Sequence, residues 1–317
     1  MSLVSAFTSA VLPILAVMAV GYVLAARTDL AVEPLNAVAL YAFLPALVFH
    51  NLATTSLGGG TLLKVVAGVV ALVAVMWGAG EAAGRLAGVP EPFRSADVLA
   101  AMFPNAGFYG VPLAAFAFGT VGRTTALVWM TVQSFLMYTA GVYVASRGGG
   151  ESGGAAVREV FRLPLVYAIA LAILVRWTGT VPPTSGTLMR TVALVGDAAI
   201  PLMLVIVGIQ LAGLERASLA RVLAPTALKL VVAPAVAVVV ALALAFEQPT
   251  VARTFVVLAA TPVAVVPLAL TITYSDDPER DGQSASAHLT TTIFVTTLAS
   301  VPVLTALIAV LQSGVLF

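Results

Sequence analysis

The chain has 317 residues, of which 61% are hydrophobic and only 9% are charged. A soluble domain usually has about 25% charged residues, so this composition predicts an all-α polytopic membrane protein and excludes an ordinary soluble domain. The net charge of +1 gives no reason to expect a nucleic-acid partner. The absence of cysteine excludes disulfides, thiol chemistry and Cys-ligated metals.

The first apolar run begins close to the N-terminus, at residues 3–26. No Lys or Arg precedes Arg27, whereas a cleaved signal peptide starts with basic residues and ends at a small-residue cleavage site. We therefore expect this run to be retained as the first membrane span.

Apolar runs separated by charged or Gly/Pro-rich breaks predict ten membrane-spanning helices, because about 20 apolar residues cross a bilayer. In chain order these spans lie at residues 3–26, 34–53, 61–84, 96–118, 123–146, 162–178, 187–212, 218–245, 251–274 and 284–312. The longest polar connector, residues 147–161, is Gly-rich and is expected to be flexible. It divides the chain into five spans in residues 1–146 and five in residues 162–317.

The distribution of basic residues predicts the orientation of these spans. With the N-terminus outside, most Lys and Arg residues near span ends fall on the cytoplasmic side, as the positive-inside rule requires. We therefore expect a multi-pass protein of the plasma membrane with both termini outside. The connector at residues 147–161 would then lie in the cytoplasm.

The fourth span is unusual because it holds two prolines, two glycines and an asparagine within nine residues: Pro104, Asn105, Gly107, Gly110 and Pro112. Proline removes a backbone donor and clashes with the preceding turn, and glycine frees the backbone, so this helix is expected to break near the membrane midplane. Lipid cannot satisfy freed backbone groups. Such a break therefore indicates a transport site in preference to a simple kink.

The two sets of five spans share proline positions. Spans 2 and 7 have mid-span prolines at Pro45 and Pro201, and span 9 has Pro262 and Pro267 where span 4 has its own pair. Because five is an odd number, the two sets would insert with opposite orientations. This pattern predicts two inverted five-helix repeats, with interrupted helices at matching positions.

The two predicted breaks, in spans 4 and 9, have chemistry suited to an anion. Each starts a second half-helix with free amides and about half a positive charge, and two such ends near the midplane favour a carboxylate. Asn105 can donate and accept hydrogen bonds, so it suits either a ligand contact or a half-helix cap, with Thr261 as its rough counterpart. The predicted substrate-binding residues are Asn105, Gly107, Gly110, Pro104, Pro112, Thr261 and Pro262.

The sequence Pro-Asn-x-Gly-Phe-x-Gly-x-Pro-Leu at residues 104–113, followed by Phe-Gly at 118–119, resembles the signature of the auxin efflux carrier family. Residues 44–49, 199–204 and 260–262 are similar to that family's second, seventh and ninth spans. The resemblance covers essentially the whole chain. It implies ten spans in two inverted repeats, a crossed pair of broken helices 4 and 9, and a bundle that moves against a scaffold, as in an elevator mechanism.

The resemblance also implies a function. Plant members of the family export the auxin anion and carry a long cytoplasmic loop between spans 5 and 6, whereas the loop here is short. Short-loop prokaryotic relatives are associated with small carboxylates such as malate or malonate. The function implied for this chain is secondary active transport of a small organic anion, either such a carboxylate or an auxin-like acid.

Three polar residues within spans are candidates for coupling transport to H⁺ or Na⁺, since intramembrane charges are costly and usually functional. Asp197 in span 7 and Lys229 in span 8 both lie near mid-depth. They could pair, either as a fixed structural ion pair or as a coupling site. Gln210 in span 7 is the third candidate, with hydrogen bonding between helices as its alternative role.

Other polar residues in the spans are expected to be mainly structural. His50 and His288 lie close to span ends, and Glu81 can pair with Arg85 four residues later. Gln133 in span 5 either joins helices or lies near the site.

Other classes of protein were weighed against a transporter. Neither a His-Glu-x-x-His motif nor a Gly-x-Ser-x-Gly elbow occurs, so an enzyme is not expected. A channel or a membrane sensor without coupled transport is the alternative. No cofactor or metal is expected. The expected partners are the organic anion and the lipid bilayer, and the sequence leaves the oligomeric state open, with a homodimer as one alternative.

Overall fold

The computed structural model describes residues 3–28, 31–55, 57–147, 164–212, 219–275, 284–314 and 316–317. Within these residues the regular structure is helical, without a β-strand, and seven helices are long and apolar enough to cross a membrane. The prediction of an all-helical membrane protein is therefore confirmed. Nearly all of the predicted connector at 147–161 lies outside the described residues.

We number twelve helices in the described part of the chain. They are α1 (Leu3–Arg27), α2 (Pro34–Thr54), α3 (Gly59–Leu86), α4 (Phe93–Met102), α5 (106–118), α6 (120–146), α7 (Pro164–Trp177), α8 (Thr187–Ala212), α9 (Leu223–Leu244), α10 (Pro249–Ala259), α11 (Val266–Tyr274) and α12 (Ala285–Gln312). Only Gly119, with φ of 63°, separates α5 from α6. A positive φ strains any residue with a Cβ, so glycine suits this junction.

Prolines inside the long helices produce π-helical turns more often than breaks. Such turns lie just before Pro13, Pro45, Pro112 and Pro234. The proline ring pushes away the carbonyl four residues earlier and lacks an N–H, so the backbone widens locally instead of ending the helix. Pro112 therefore does not interrupt its helix, although the sequence suggested that it would contribute to the break.

Predicted spans 4 and 9 are broken. The first ends at Met102 and resumes at Ala106, and the second ends at Ala259 and resumes at Val266. The interruptions fall at the N-terminal proline of each pair, Pro104 and Pro262. Each predicted span therefore consists of two half-helices, α4 with α5 and α10 with α11.

The start of α4 is held by Glu91. Its carboxylate accepts hydrogen bonds from the N–H and Oγ of Ser95, at 3.0 and 2.7 Å, and from Nη2 of Arg94 at 2.7 Å. Partial burial by itself would raise the pKa of Glu91, but these hydrogen bonds outweigh it and lower the pKa below its usual value. The helix that leads to the first break is thus anchored at its first turn.

An ion cluster joins helices at the same end of the molecule. Glu81 of α3 contacts Arg85 at 3.3 Å, which confirms the predicted pair, and it also contacts Arg94 at 3.8 Å and Arg147. Four side chains from α3, α4 and the end of α6 are therefore bound together.

The helices pack as two groups. The small bundle contains α1, α2, α7 and α8, and the large bundle contains α3 to α6 and α9 to α12. Within the small bundle, α1 and α8 approach closely at two glycines. A Cβ on Gly208 would lie 1.9 Å from the Met18 carbonyl oxygen, and one on Gly21 would lie 2.1 Å from the Val205 oxygen. Small residues allow such close approach between membrane helices.

Gly208→Ala is expected to destabilise the protein, because its methyl group would force α1 and α8 apart. Overpacking typically costs about 1–3 kcal/mol. Gly78→Ala is the matched control, since nothing lies within 4 Å of a Cβ there. Thermal unfolding in detergent measures the effect, and equal midpoints for the two variants would contradict the close packing of α1 on α8.

Candidate functional site

The two helix breaks pair with each other. The Asn105 N–H donates to the Pro262 carbonyl at 2.7 Å, and the Ala264 N–H donates to the Phe103 carbonyl at 3.0 Å. These bonds flank an antiparallel bridge between residues 104 and 263. Backbone groups freed by each break are thus satisfied by the other, as a membrane interior requires.

The antiparallel pairing of residues 103–105 with residues 262–264 is called the crossover. Side chains complete it. Nε2 of Gln133 donates to the Pro104 carbonyl at 2.8 Å, and Oε1 of Gln133 accepts from the Trp129 indole at 2.9 Å. On the opposite side, the Val263 N–H donates to the Thr296 hydroxyl at 3.2 Å. Of the two roles considered for Gln133, the structure therefore supports the one near the site, where it fixes the first break.

A cavity of about 690 Å³ lies between the two bundles. The end of α1, the start of α2 and the end of α8 line one side of it. The other side contains Asn105, Val265 and Leu268 from the crossover, with Ile293 and Thr297 from α12. Asn105 and Val265 immediately precede α5 and α11, so the N-termini of both half-helices border this cavity. Its size suits a small ligand.

The cavity is lined by apolar side chains and a smaller number of polar ones, none of them charged among the described residues. The polar side chains are Tyr22, Thr28, Asn36, Asn105, Gln210 and Thr297. Buried amide oxygens of Asn36 and Gln210 find no hydrogen-bond partner in the described part of the chain. The Asn105 side chain, which does not cap α5, also forms no hydrogen bond to another described residue. Buried amides normally have partners, so these groups have spare capacity for a ligand.

The other predicted substrate-binding residues are not in the lining of this cavity: Pro104, Gly107, Gly110, Pro112, Thr261 and Pro262. Gly110 instead makes room for the Leu258 side chain, since a Cβ on Gly110 would lie 2.7 Å from Cδ2 of Leu258. Gly107 faces the Met130 side chain. The Thr261 hydroxyl donates to the Leu258 carbonyl at 2.7 Å. These residues build the crossover, whereas Asn105 reaches the cavity.

The charged candidates are arranged differently from the predicted pair. Oδ1 of Asp197 lies 2.7 Å from Nη1 of Arg123, and the Asp197 side chain is 60% exposed. Asp197 thus pairs with Arg123 and not with Lys229, because α6 brings its N-terminal turn beside the middle of α8. Lys229 is buried in a π-helical turn of α9, with no hydrogen bond or ion pair to any residue that the structure describes.

Sequence reasoning missed a second buried pair, formed by Asp97 and His288. Nε2 of His288 lies 2.7 Å from Oδ1 of Asp97, across a sequence separation of 191 residues. His288 lies at the start of predicted span 10, which made it look interfacial, and Asp97 lies at the start of predicted span 4. The signal that could have drawn attention to them is a carboxylate inside an apolar run of a chain with so few charges.

Comparison with known proteins decides the family. A family model described as "Membrane transport protein" matches residues 6–155 and 151–308, nearly the whole chain. The chain belongs to this membrane transport protein family. An uncharacterized transporter of Methanothermobacter thermautotrophicus is 27% identical over 251 residues, covering 76% of this chain and 80% of that protein. The family predicted from the motifs around residues 104–113 is confirmed, and membership favours transport over catalysis.

In this membrane transport protein, Gln133→Leu is expected to weaken the crossover, because it removes one of two described donors to the Pro104 carbonyl and leaves the Trp129 indole without its partner. Each buried unsatisfied group costs about 1–3 kcal/mol. Ser134→Ala on the same helix is the control, since that hydroxyl bonds only the Met130 carbonyl of its own helix. The readout is thermal unfolding in detergent, and a Gln133→Leu variant as stable as the control would argue against the role of Gln133.

Proposed function

We propose that this chain is a secondary active transporter of a small organic anion. The substrate would be a carboxylate such as malate or malonate, or an auxin-like acid, bound beside the helix crossover. The observation that carries the proposal is the cavity bordered by the N-termini of both half-helices and by the Asn105 side chain.

The physical argument begins with the helix termini. Each half-helix starts with amides that lack intrahelical acceptors and with about half a positive charge. Helix N-termini of this kind bind carboxylates and phosphates. Because the described lining residues carry no charge, a bound anion would be held by dipoles and amides. It would then not be trapped by a fixed cation, which suits a site that must release its substrate.

The position of the cavity supports alternating access. It lies between the small bundle and the large bundle, so movement of one bundle against the other would change its exposure. We propose that the small bundle, α1, α2, α7 and α8, is the scaffold of an elevator. The antiparallel pairing of the two breaks is what two inverted repeats in residues 1–146 and 162–317 would produce.

The proposed orientation makes this cavity face the cytoplasm. Thr28, at the end of α1, lies in its lining and is exposed. With both termini outside the plasma membrane, Thr28 would be on the inner side. A homodimer and coupling through Asp197, Lys229 or Gln210 stay predictions.

Asn105→Ala is expected to reduce anion exchange while leaving the protein folded. Purified protein in liposomes is loaded with malonate, malate or an aromatic acetic acid, and exchange of the labelled compound is followed. A hydrogen bond to a charged group is worth about 1.5–3 kcal/mol, so its loss should slow exchange by about tenfold or more.

The matched control for this substitution is Asn51→Ala. Asn51 is also a buried asparagine, but its amide bonds the Leu47 carbonyl of its own helix, away from the cavity. Wild-type rates for Asn105→Ala would contradict the site. Absence of exchange with every acid in wild-type protein would contradict transport of small carboxylates and favour a sensor.

Accessibility of an introduced thiol is expected to report the open side. The chain has no cysteine, so Thr28→Cys provides a single thiol at the cavity and Thr8→Cys one near the other end of α1. A membrane-impermeant thiol reagent should label Thr28→Cys in inside-out vesicles and Thr8→Cys in right-side-out vesicles. The reverse pattern would contradict the proposed orientation.

A further inference from the structure

Two ionisable side chains form a buried pair between the first turn of α4 and the crossover, outside the cavity lining. The His288 imidazole and the Asp97 carboxylate are 2.7 Å apart, and the two residues are only 4% and 8% exposed. The Phe93 ring packs edge-on against the imidazole, with centroids 5.7 Å apart. A buried ionisable pair within membrane-spanning helices is costly and therefore marks functional sites more often than structural ones.

The two ring nitrogens of His288 have different surroundings. Nε2 faces the Asp97 carboxylate, whereas Nδ1 is buried and has no hydrogen-bond partner in the described part of the chain. With a neutral ring, Nε2–H donates to the carboxylate and Nδ1 keeps a free lone pair. That lone pair can accept a proton, which converts the pair from net −1 to net zero.

The pair is surrounded by an apolar cluster that reaches the crossover. Its buried members are Phe93, Ala96, Ala100, Val263, Ala285, Leu289 and Ile293. Val263 belongs to the second break, and Ile293 also lines the cavity. Residues that surround the pair therefore also contact the candidate substrate site.

Hydrogen bonds along α12 give a second connection between the pair and the crossover. The Thr292 hydroxyl donates to the His288 carbonyl at 3.0 Å, and the Thr296 hydroxyl donates to the Thr292 carbonyl at 2.7 Å. Thr296 in turn accepts from the Val263 N–H. On the other side, Asp97 lies five residues before the end of α4 at Met102, about 7.5 Å along the helix at 1.5 Å per residue, and the first break follows directly.

Other charged and titratable groups lie on the described elements that pack against α4 and α12. Those on α3, α4, α6, α9, α11 and the 219–222 turn near the pair are Glu81, Arg85, Glu91, Arg94, Arg147, Arg221, Lys229 and Tyr274. Glu81 and Glu91 are engaged with arginines. Lys229 lies in the turn Leu228–Val232, which packs against both α4 and α12.

We propose that Asp97 and His288 form the proton-binding site that couples transport to a proton gradient; this rests on the proposed function. One proton from the bulk binds Nδ1 of His288 and is released from it on the other side in each cycle. The neutral and anionic forms of the pair act on the crossover through α4 and α12. The site suits a proton and not sodium, because Na⁺ prefers several oxygen ligands and the pair offers one carboxylate and an imidazole.

A direct test follows the protonation of His288 without transport. The chain has two histidines, His50 and His288, so His50→Gln protein labelled with ¹⁵N-histidine gives one ring in lipid nanodiscs. Its nitrogen signals should change from imidazolium to neutral imidazole between pH 5 and 8. A ring in one form throughout this range would overturn the proposal.

A flux test uses labelled malonate, or whichever acid exchanges, in liposomes. Exchange at equal pH needs no net proton movement, whereas net uptake should be stimulated by an imposed pH gradient. Asp97→Asn and His288→Gln should keep exchange and lose this stimulation, and Asp97→Glu should restore part of it. Glu247→Gln, which removes the exposed partner of Lys64, should keep both.

The outcomes separate the two proposals. Loss of pH-gradient stimulation in Asp197→Asn but not in Asp97→Asn would overturn the assignment, as would flux driven by a sodium gradient alone. If wild-type protein exchanges no acid, the proposed function fails, and the nitrogen titration still decides whether the pair binds a proton. Since that titration uses the native pair, it does not depend on whether the Asp97 variants fold.

Discussion

The structure depends on two backbone hydrogen bonds, from Asn105 to Pro262 and from Ala264 to Phe103. A helix broken within a bilayer exposes donors and acceptors that lipid cannot satisfy. Two breaks placed side by side solve this problem together, and Gln133 and Thr296 satisfy further backbone groups beside them. The large bundle can therefore contain irregular backbone near its centre without leaving these groups unpaired.

The same arrangement creates the candidate site. Because the backbone groups between the half-helices are used in the crossover, the groups of this region that face the cavity are the positive ends of the α5 and α11 dipoles and the Asn105 side chain. These groups border the cavity between the bundles, which also contains the unpaired amide oxygens of Asn36 and Gln210. An uncharged lining at two helix N-termini is the physical basis of the proposed anion site.

The charged groups are distributed around this centre instead of within it. Arg123 in the first turn of α6 pairs with Asp197 in the middle of α8. The Glu81 cluster lies at the end of the large bundle, and the Asp97–His288 pair lies between that cluster and the crossover. Apart from the Glu81–Arg85 contact within α3, these contacts join different helices. In a chain with so few charges, these contacts fix how helices are placed, and the one with an unoccupied ring nitrogen is also the one connected to the crossover.

The sequence by itself determined the membrane class, the family and the break at Pro104, because hydropathy and proline chemistry act locally along the chain. It could not distinguish a proline that breaks a helix, such as Pro104, from one that only widens it, such as Pro112, since the outcome depends on what satisfies the freed backbone groups. Only the tertiary structure decided that Asp197 meets Arg123, that Asp97 meets His288, and that Gly110 packs on Leu258. Those contacts join residues on separate helices, and their partners are selected by helix packing, which local sequence does not encode.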